Sequence, residues 1–348
     1  MSDNPLGLEG IEFIEFVAAR ADDLHQVFTD LGLSLVRFSA DGDVRLYQQN
    51  DVRFLLNCRA GSVAHDFYKW HGSGVSAVGW RVKDAQKALA TVRNKGAKLA
   101  QGSDYRWDGK QLPAVVEDVG GALIYFVDGY RNPSLYQRLG LNQSGKKEVL
   151  RDTNYIRIDH LAYGIFQEHL PEWTDFYERI CGFEKVASFD IRGEHSGMKS
   201  IALRSPCGHF SIPINEGVGK KSTINEFVAN FKGCGVHHVA LLTNDILVTL
   251  RELQGSMVRT LAMYPEYYHD VFKRVPSVRE NHKEIQKYNV LVDGDEDGYL
   301  LQIFSQALIG GLFFEFIQRE NNDSYGEGNF KALFRACELD QKKRGYVD

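Results

Sequence analysis

The feature that most constrains this fold is that the chain repeats itself. "GIEFIEFVAARADDLHQVFTDLGLSLV" (10–36) and "RIDHLAYGIFQEHLPEWTDFYERICGFEKV" (157–186) follow one plan. Each reads as a short strand, a polar break, an amphipathic helix ending in Leu-Gly or Cys-Gly, and a new strand. Gly32 and Gly182 stand where the residue after a helix takes a positive φ, which a side chain resists. A second pair, 72–100 and 233–262, runs strand, loop, helix, glycine, strand, and both copies open on Gly-x-Gly-Val. Strands close each half: "GALIYFVDG" (121–129) in the first, "LLQIFSQ" (300–306) and "LFFEFIQR" (312–319) in the second. Short strands alternating with amphipathic helices, and few long crossovers, predict an α+β chain whose sheets curl around cavities.

The repeat divides the chain into a first domain over 1–135, a linker over 136–154 and a second domain over 155–348. At 348 residues there is material for two real cores. A net charge of −5 offers neither a basic surface for nucleic acid nor a polybasic signal for membranes. No apolar run approaches the roughly 20 residues a spanning helix needs, and the first residues, "MSDNPLGLEG", do not read as a signal peptide. The 5 cysteines are scattered without a Cys-x-x-Cys pair, so a reduced, cytoplasmic protein is expected and a disulfide framework is not.

The two halves act as controls for each other. The second half carries His160 on its first strand, His238 on its second and Glu315 on its last. The matching places in the first half hold Phe13, Ala77 and Tyr125. A fold that accepts apolar residues there does not require the polar ones. Glu315 is the sharpest case, because "LFFEFIQ" reads as a buried strand and an unpaired carboxylate in such surroundings is very costly. Arg319 on the same face is one possible partner; a metal ion is the other. Strand alternation sets His160 with Ile158 and Ala162, His238 with Val236 and Ala240, and Glu315 with Phe313 and Ile317, and turns His237 to the opposite face. Two imidazoles and one carboxylate from three strands form a facial triad suited to non-haem iron. Zinc accepts the same donors, so the residues alone leave the metal open.

Other motifs carry less. "DGDEDGYLLQIF" (293–304) opens like a calcium loop but ends on Phe304 where a bidentate Glu is needed, so it reads as a turn. "GSGVSA" (72–77) precedes a strand, whereas a dinucleotide loop precedes a helix. "GEGNF" (326–330) lacks the third glycine. His25, His65 and His71 show no partnered pattern.

Taken together, "IDHLA", "FDIRGEHSGMKS", "IPINE", "GVHHVA", "LLQIF", "FFEFIQR" and "GEGNFKALF" make the second half closely similar to the 4-hydroxyphenylpyruvate dioxygenases of the vicinal-oxygen-chelate superfamily, with a weaker likeness in the first half. The resemblance implies paired βαβββ modules in two open-barrel domains, a glyoxalase-like fold, with a C-terminal helix capping the second. It implies Fe(II) held by His160, His238 and Glu315, one per subunit. The implied reaction takes 4-hydroxyphenylpyruvate and O2 to homogentisate and CO2 in tyrosine breakdown, and the implied assembly is a homodimer or homotetramer. Ser200, Asn215 and Gln302 match polar residues at the phenol end of the substrate. Pro213, Phe304 and Phe313 match walls of the pocket, and Phe330 and Phe334 match rings on the capping helix. The chain departs from the pattern at His237 and Thr223, each standing where glutamine is common, and at Tyr325, where phenylalanine is common. Related readings of the same ligands are a 4-hydroxymandelate synthase, an extradiol catechol dioxygenase and a metal-free binding protein.

Overall fold

The computed structural model describes residues 3–345 apart from 108–109, 113, 116–117, 145–150, 193–196 and 220–221. The "GEHS" of one motif and the middle of the expected linker therefore lie outside the described residues.

The first half opens with β1 (Leu8–Val17), α1 (Ala21–Asp30), β2 (Ser34–Ser39), β3 (Val44–Gln49) and β4 (Val52–Asn57). Next come α2 (Val63–His71), β5 (Gly74–Val82), α3 (Ala85–Asn94), a small hairpin of β6 (Arg106–Trp107) and β7 (Lys110–Gln111), β8 (Ala114–Val115) and β9 (Leu123–Val127). Helix α4 (Leu135–Arg138) and β10 (Leu141–Gln143) finish it. The second half runs β11 (Tyr155–Ile165), α5 (Leu170–Asp175), β12 (Glu184–Arg192), β13 (Gly197–Arg204), β14 (Ser211–Val218), α6 (Thr223–Phe231) and β15 (Gly235–Thr243). It continues through α7 (Ile246–Glu252), α8 (Val271–Arg274), α9 (His282–Lys287), β16 (Leu291–Gly294), β17 (Tyr299–Phe304), β18 (Phe313–Glu320) and α10 (Phe330–Lys343).

Two eight-stranded sheets result, ordered β10-β2-β3-β4-β1-β5-β9-β8 and β12-β13-β14-β11-β15-β18-β17-β16. In each, the first strand pairs in parallel with the last strand of its own module, β1 with β4 and β11 with β14. The two modules then join through an antiparallel seam, β1 with β5 and β11 with β15. This is the paired-module architecture expected from the repeat. Gly32 and Gly182 take φ of 94° and 79° after their helices. The expected linker is partly structured: α4 begins at Leu135 and runs into it, and β10 adds an edge strand to the first sheet through Leu141↔Ser39.

Helix placement follows local sequence. Ser222 accepts the Ile224 amide at the start of α6, and Ile224, Phe227, Val228 and Phe231 form its buried stripe. Asp84 and Asp245 cap α3 and α7 in the same way. The two halves pack back to back. One apolar cluster contains Phe16, Phe54 and Trp80 from the first half and Tyr163, Tyr177 and Phe314 from the second. Phe54 stacks on Phe314 at 5.9 Å between ring centroids, and Trp80 lies 5.6 Å from Phe183. At Gly120 the halves come so close that a Cβ would sit 1.9 Å from the Cys234 carbonyl oxygen. His71, unassigned from sequence, places its ring nitrogens 3.1 Å from the Phe231 carbonyl oxygen and 3.0 Å from that of Gly120, bridging the same seam.

Back-to-back packing leaves the opposite face of each sheet to line its own interior. In the first half that interior is filled by Phe13, Leu46, Leu55, Tyr105 and Tyr125, among others. In the second it stays open.

Candidate metal centre

The open interior is organised by a small residue. Ala240 on β15 is the cross-strand partner of both His160 on β11 and Glu315 on β18. Its methyl group takes little room, so the longer side chains on either side converge above it. Ala162 plays the same part beside His238, which in turn faces Phe313. His160 Nε2 lies 3.1 Å from Glu315 Oε2, and His238 Nε2 lies 3.5 Å from the same oxygen. The ligand atoms of the three residues all fall within 4.8 Å of one another. Adjacent ligands about 2.1 Å from one ion and at right angles are about 3 Å apart, so the donor set fits a single metal. Among the described residues no other group of His, Cys, Asp and Glu side chains converges in this way.

The first half confirms the control drawn from the repeat. Its register sets Phe13 opposite Gly79, Glu15 opposite Ala77, and Gly79 opposite Tyr125. Phe13, Ala77 and Tyr125 therefore occupy the places of His160, His238 and Glu315. Nothing in the sequence singled out Glu15, which is buried beside this filled centre. It accepts hydrogen bonds from Ser76 at 2.7 Å, from Asn57 at 3.3 Å and from Tyr105. Burial pushes its carboxyl up to about 7, with Asp104 adding to the effect and the three donors opposing it.

The faces of the ligand strands correct the simple alternation. Ile158 and Val236 join the cluster between the halves instead of sharing a face with His160 and His238. The β11–β15 ladder slips between Ile158 and His160, and again where Val236 precedes His238. Each slip is a bulge, and one extra residue reverses the facing of the residues beyond it. The second bulge also turns His237 toward the cavity, contrary to the expectation from sequence. Its ring lies edge-on to Phe227 at 5.0 Å and to Phe313 at 4.7 Å.

Electrostatics explain how a carboxylate survives here. Burial alone pushes Glu315 up, but the His160 ring, and His238 after it, more than offset this and hold it down at about 2. Burial disfavours the His160 cation, yet Glu315 and then Asp159 outweigh that and raise His160 to about 9. His238 moves down, chiefly through burial, because its contacts with Glu315 do not compensate and His160 repels it. His237 is driven well below its ordinary value by burial and by His238. Without a metal the trio is thus an ion pair beside a neutral imidazole. Arg319 is not the partner of Glu315; its Nε donates to both oxygens of Asp159, at 2.9 and 3.0 Å.

A cavity of 530 Å³ surrounds the three ligands, within the range of small-molecule sites. Ser200, Pro213, Asn215, Thr223, His237, Phe304, Phe313, Phe330 and Phe334 all line it. Gln302 is not among the lining residues; it is buried, and Gly326 packs against its side-chain amide, where a Cβ would meet the nitrogen at 2.1 Å. Sequence reasoning missed Phe189, Met198 and Leu261 on the walls, and Phe227 on the stripe of α6. It also missed how α10 is fastened over the cavity. Glu226 of α6 accepts from Gln341 at 2.8 Å and from Arg344 at 2.5 Å. The 3-4 spacing of apolar residues in "TINEFVANF" was the available signal for Phe227.

Comparison with known proteins places this geometry. Residues 2–138 match the family model described as hydroxyphenylpyruvate dioxygenase, N-terminal, and residues 157–303 match that of the glyoxalase/bleomycin resistance protein/dioxygenase superfamily. A 4-hydroxyphenylpyruvate dioxygenase from Pseudomonas aeruginosa is 38% identical, covering 99% of this chain and 97% of that protein. The chain belongs to the 4-hydroxyphenylpyruvate dioxygenase family. A dioxygenase of that name from Legionella pneumophila is 36% identical over 99% of this chain and 98% of its own length. Protein MelA of Shewanella colwelliana is 41% identical, covering 99% of both chains. Among solved structures, a mutant 4-hydroxymandelate synthase from Streptomyces coelicolor superposes with a TM-score of 0.81 at 22% identity, covering 96% of this chain and 99% of that one, which speaks to the fold alone. As a member of this dioxygenase family the chain is an enzyme with a metal cofactor. No helix among its described residues is long and apolar enough to cross a membrane.

Proposed function

We propose that the chain converts 4-hydroxyphenylpyruvate and O2 to homogentisate and CO2, as a non-haem Fe(II) dioxygenase of tyrosine breakdown with His160, His238 and Glu315 as the metal ligands. The observation that carries this reading is the meeting of those three side chains at one point of an apolar cavity that the other half of the repeat has filled. Fe(II), which His160, His238 and Glu315 would hold, would supply the redox chemistry that O2 requires. Both oxygen atoms enter the products: one completes the new carboxylate left by decarboxylation, the other becomes the new ring hydroxyl.

The remaining residues bind and orient. Ser200 and Asn215 stand opposite each other on β13 and β14 and offer donors and acceptors for a phenolic hydroxyl. Phe304, Phe313, Phe330 and Phe334 form the apolar surround of the ring. Phe313 also stacks on His238 at 4.8 Å, which holds that imidazole in place. Helix α10 shields the site from water, its Phe330 ring packed edge-on against Phe189 at 5.0 Å. Gln302 is assigned no direct contact, since it is not among the residues that line the cavity.

The test is anaerobic loading with Fe(II), then O2 uptake with 4-hydroxyphenylpyruvate and chromatography of the product. Homogentisate and CO2 in equal amounts are expected. 4-Hydroxymandelate would move the assignment to the synthase, and turnover of a catechol without a keto acid would move it to an extradiol enzyme.

A further inference from the structure

We infer that Asp159 and Arg319 are positioning residues that tie the metal ligand His160 to the root of the capping helix, so that metal binding and closure of α10 are coupled. This rests on the metal reading above and extends it to how the site is closed. His160 turns Nε2 toward Glu315, and its other nitrogen, Nδ1, is buried without a hydrogen-bond partner. Asp159 Oδ2 lies 3.7 Å from it. Ligating histidines characteristically give their second N–H to a carboxylate, a backbone carbonyl or water, which fixes tautomer and ring orientation. With Nε2 given to a metal, Nδ1 carries the ring's one proton and faces that carboxylate.

Asp159 is held for this role from behind. It is 7% exposed, and the Arg319 Nε bonds to its two oxygens orient the carboxylate. The same guanidinium reaches in a second direction. Its Nη1 donates to the Asn322 carbonyl at 3.1 Å and to the Ser324 carbonyl at 2.6 Å. Those carbonyls belong to the loop between β18 and α10. The next residue, Tyr325, sets its ring edge-on to His160 at 6.1 Å, and Gly326 then turns the chain with φ of 75°. One planar group thus contacts both the partner of a metal ligand and the segment from which the cap springs. A lysine could keep the charge but not the fork.

The experiment measures hydrogen exchange of residues 321–343 and Co(II) affinity in the full-length chain. Co(II) binding to the parent, followed by its visible d–d spectrum, tests the metal reading by itself; the change in exchange tests the coupling. In the parent, Co(II) is expected to slow exchange across 321–343. Asp159→Asn should weaken Co(II) binding about ten- to a hundredfold, the range for loss of a ligand's outer partner. Arg319→Lys should retain more of the Co(II) affinity but lose the metal-dependent slowing, a split that a merely structural role would not produce. Metal-independent exchange in the parent overturns the coupling whatever the variants do. Retained slowing in Arg319→Lys, or parental affinity in Asp159→Asn, overturns it as well.

Discussion

The ion pair inside the metal-free centre makes stability depend on pH in a way that one substitution can remove. His160 is raised from 6.5 to about 9, so the full shift corresponds to about 3 kcal/mol of stability in the metal-free chain. The sign follows from which state holds the proton more tightly. A group whose folded value is raised contributes fully below its unfolded value, near 6.5, and loses that contribution as pH rises through about 9. Glu315, depressed from 4.5 to about 2, reports the same pair from the acid side, and its contribution is lost only as pH falls from 4.5 toward 2. Between about pH 5 and 6 both conditions hold. Chelator-treated protein should therefore lose about 3 kcal/mol between about pH 6 and pH 9.5, read as urea midpoints at fixed slope. Glu315→Gln should remove more than half of that decline, because Glu315 outweighs Asp159 in holding the His160 proton. Zn(II) or Co(II) should reverse the trend, since ligation needs both imidazoles neutral and metal stabilisation grows as protons leave. Parallel pH curves for the metal-free parent and Glu315→Gln would refute the pairing.

Three further outcomes rest on the same geometry. His238→Ala should abolish Fe(II)-dependent O2 uptake while circular dichroism keeps the native pattern, because the β15 ladder is made by backbone groups. Arg344→Ala leaves the buried Glu226 carboxylate with Gln341 as its remaining donor among the described residues, so α10 should loosen and KM rise several-fold; Glu226→Gln should do the same, and the double variant should add little beyond either single one, as for two ends of one contact. Gly120→Ala places a methyl group 1.9 Å from the Cys234 carbonyl oxygen at φ of 74°, and it should cost about 3 kcal/mol or more in thermal unfolding.

How much of the molecule was legible depends on whether the residue or the backbone made the decision. The ligands could be read because burial penalises His and Glu, and because Phe13, Ala77 and Tyr125 show that the same places tolerate apolar side chains. The paired modules could be read from the helix-ending glycines. The bulges in β11 and β15 could not: nothing in "RIDHLA" or "GVHHVA" marks an unpaired residue, and strict alternation put Ile158, Val236 and His237 on the wrong faces. Gln302 lies on the expected strand, but Gly326, which packs against its side-chain amide, comes from far along the chain beyond the next strand. β10 was hidden because three residues carry no period, and its pairing with β2 joins Leu141 to Ser39, far apart in sequence.

The fate of the first half explains why one centre suffices. Its seam has the same register, so the backbone could present ligands there as well. Phe13, Tyr105 and Tyr125 instead pack with ring centroids 5.5 to 6.1 Å apart across the space a substrate would need. A cavity forgoes the dispersion contacts and apolar burial that such rings supply. Filling the duplicate interior recovers that stability in the half that lacks the His-His-Glu trio. The back-to-back core then delivers it to β11, β15 and β18, through Phe16 and Phe54 against Phe314 next to Glu315. The open barrel can hold an apolar void and a desolvated carboxylate because its outer face rests on a neighbour whose matching centre is packed with rings.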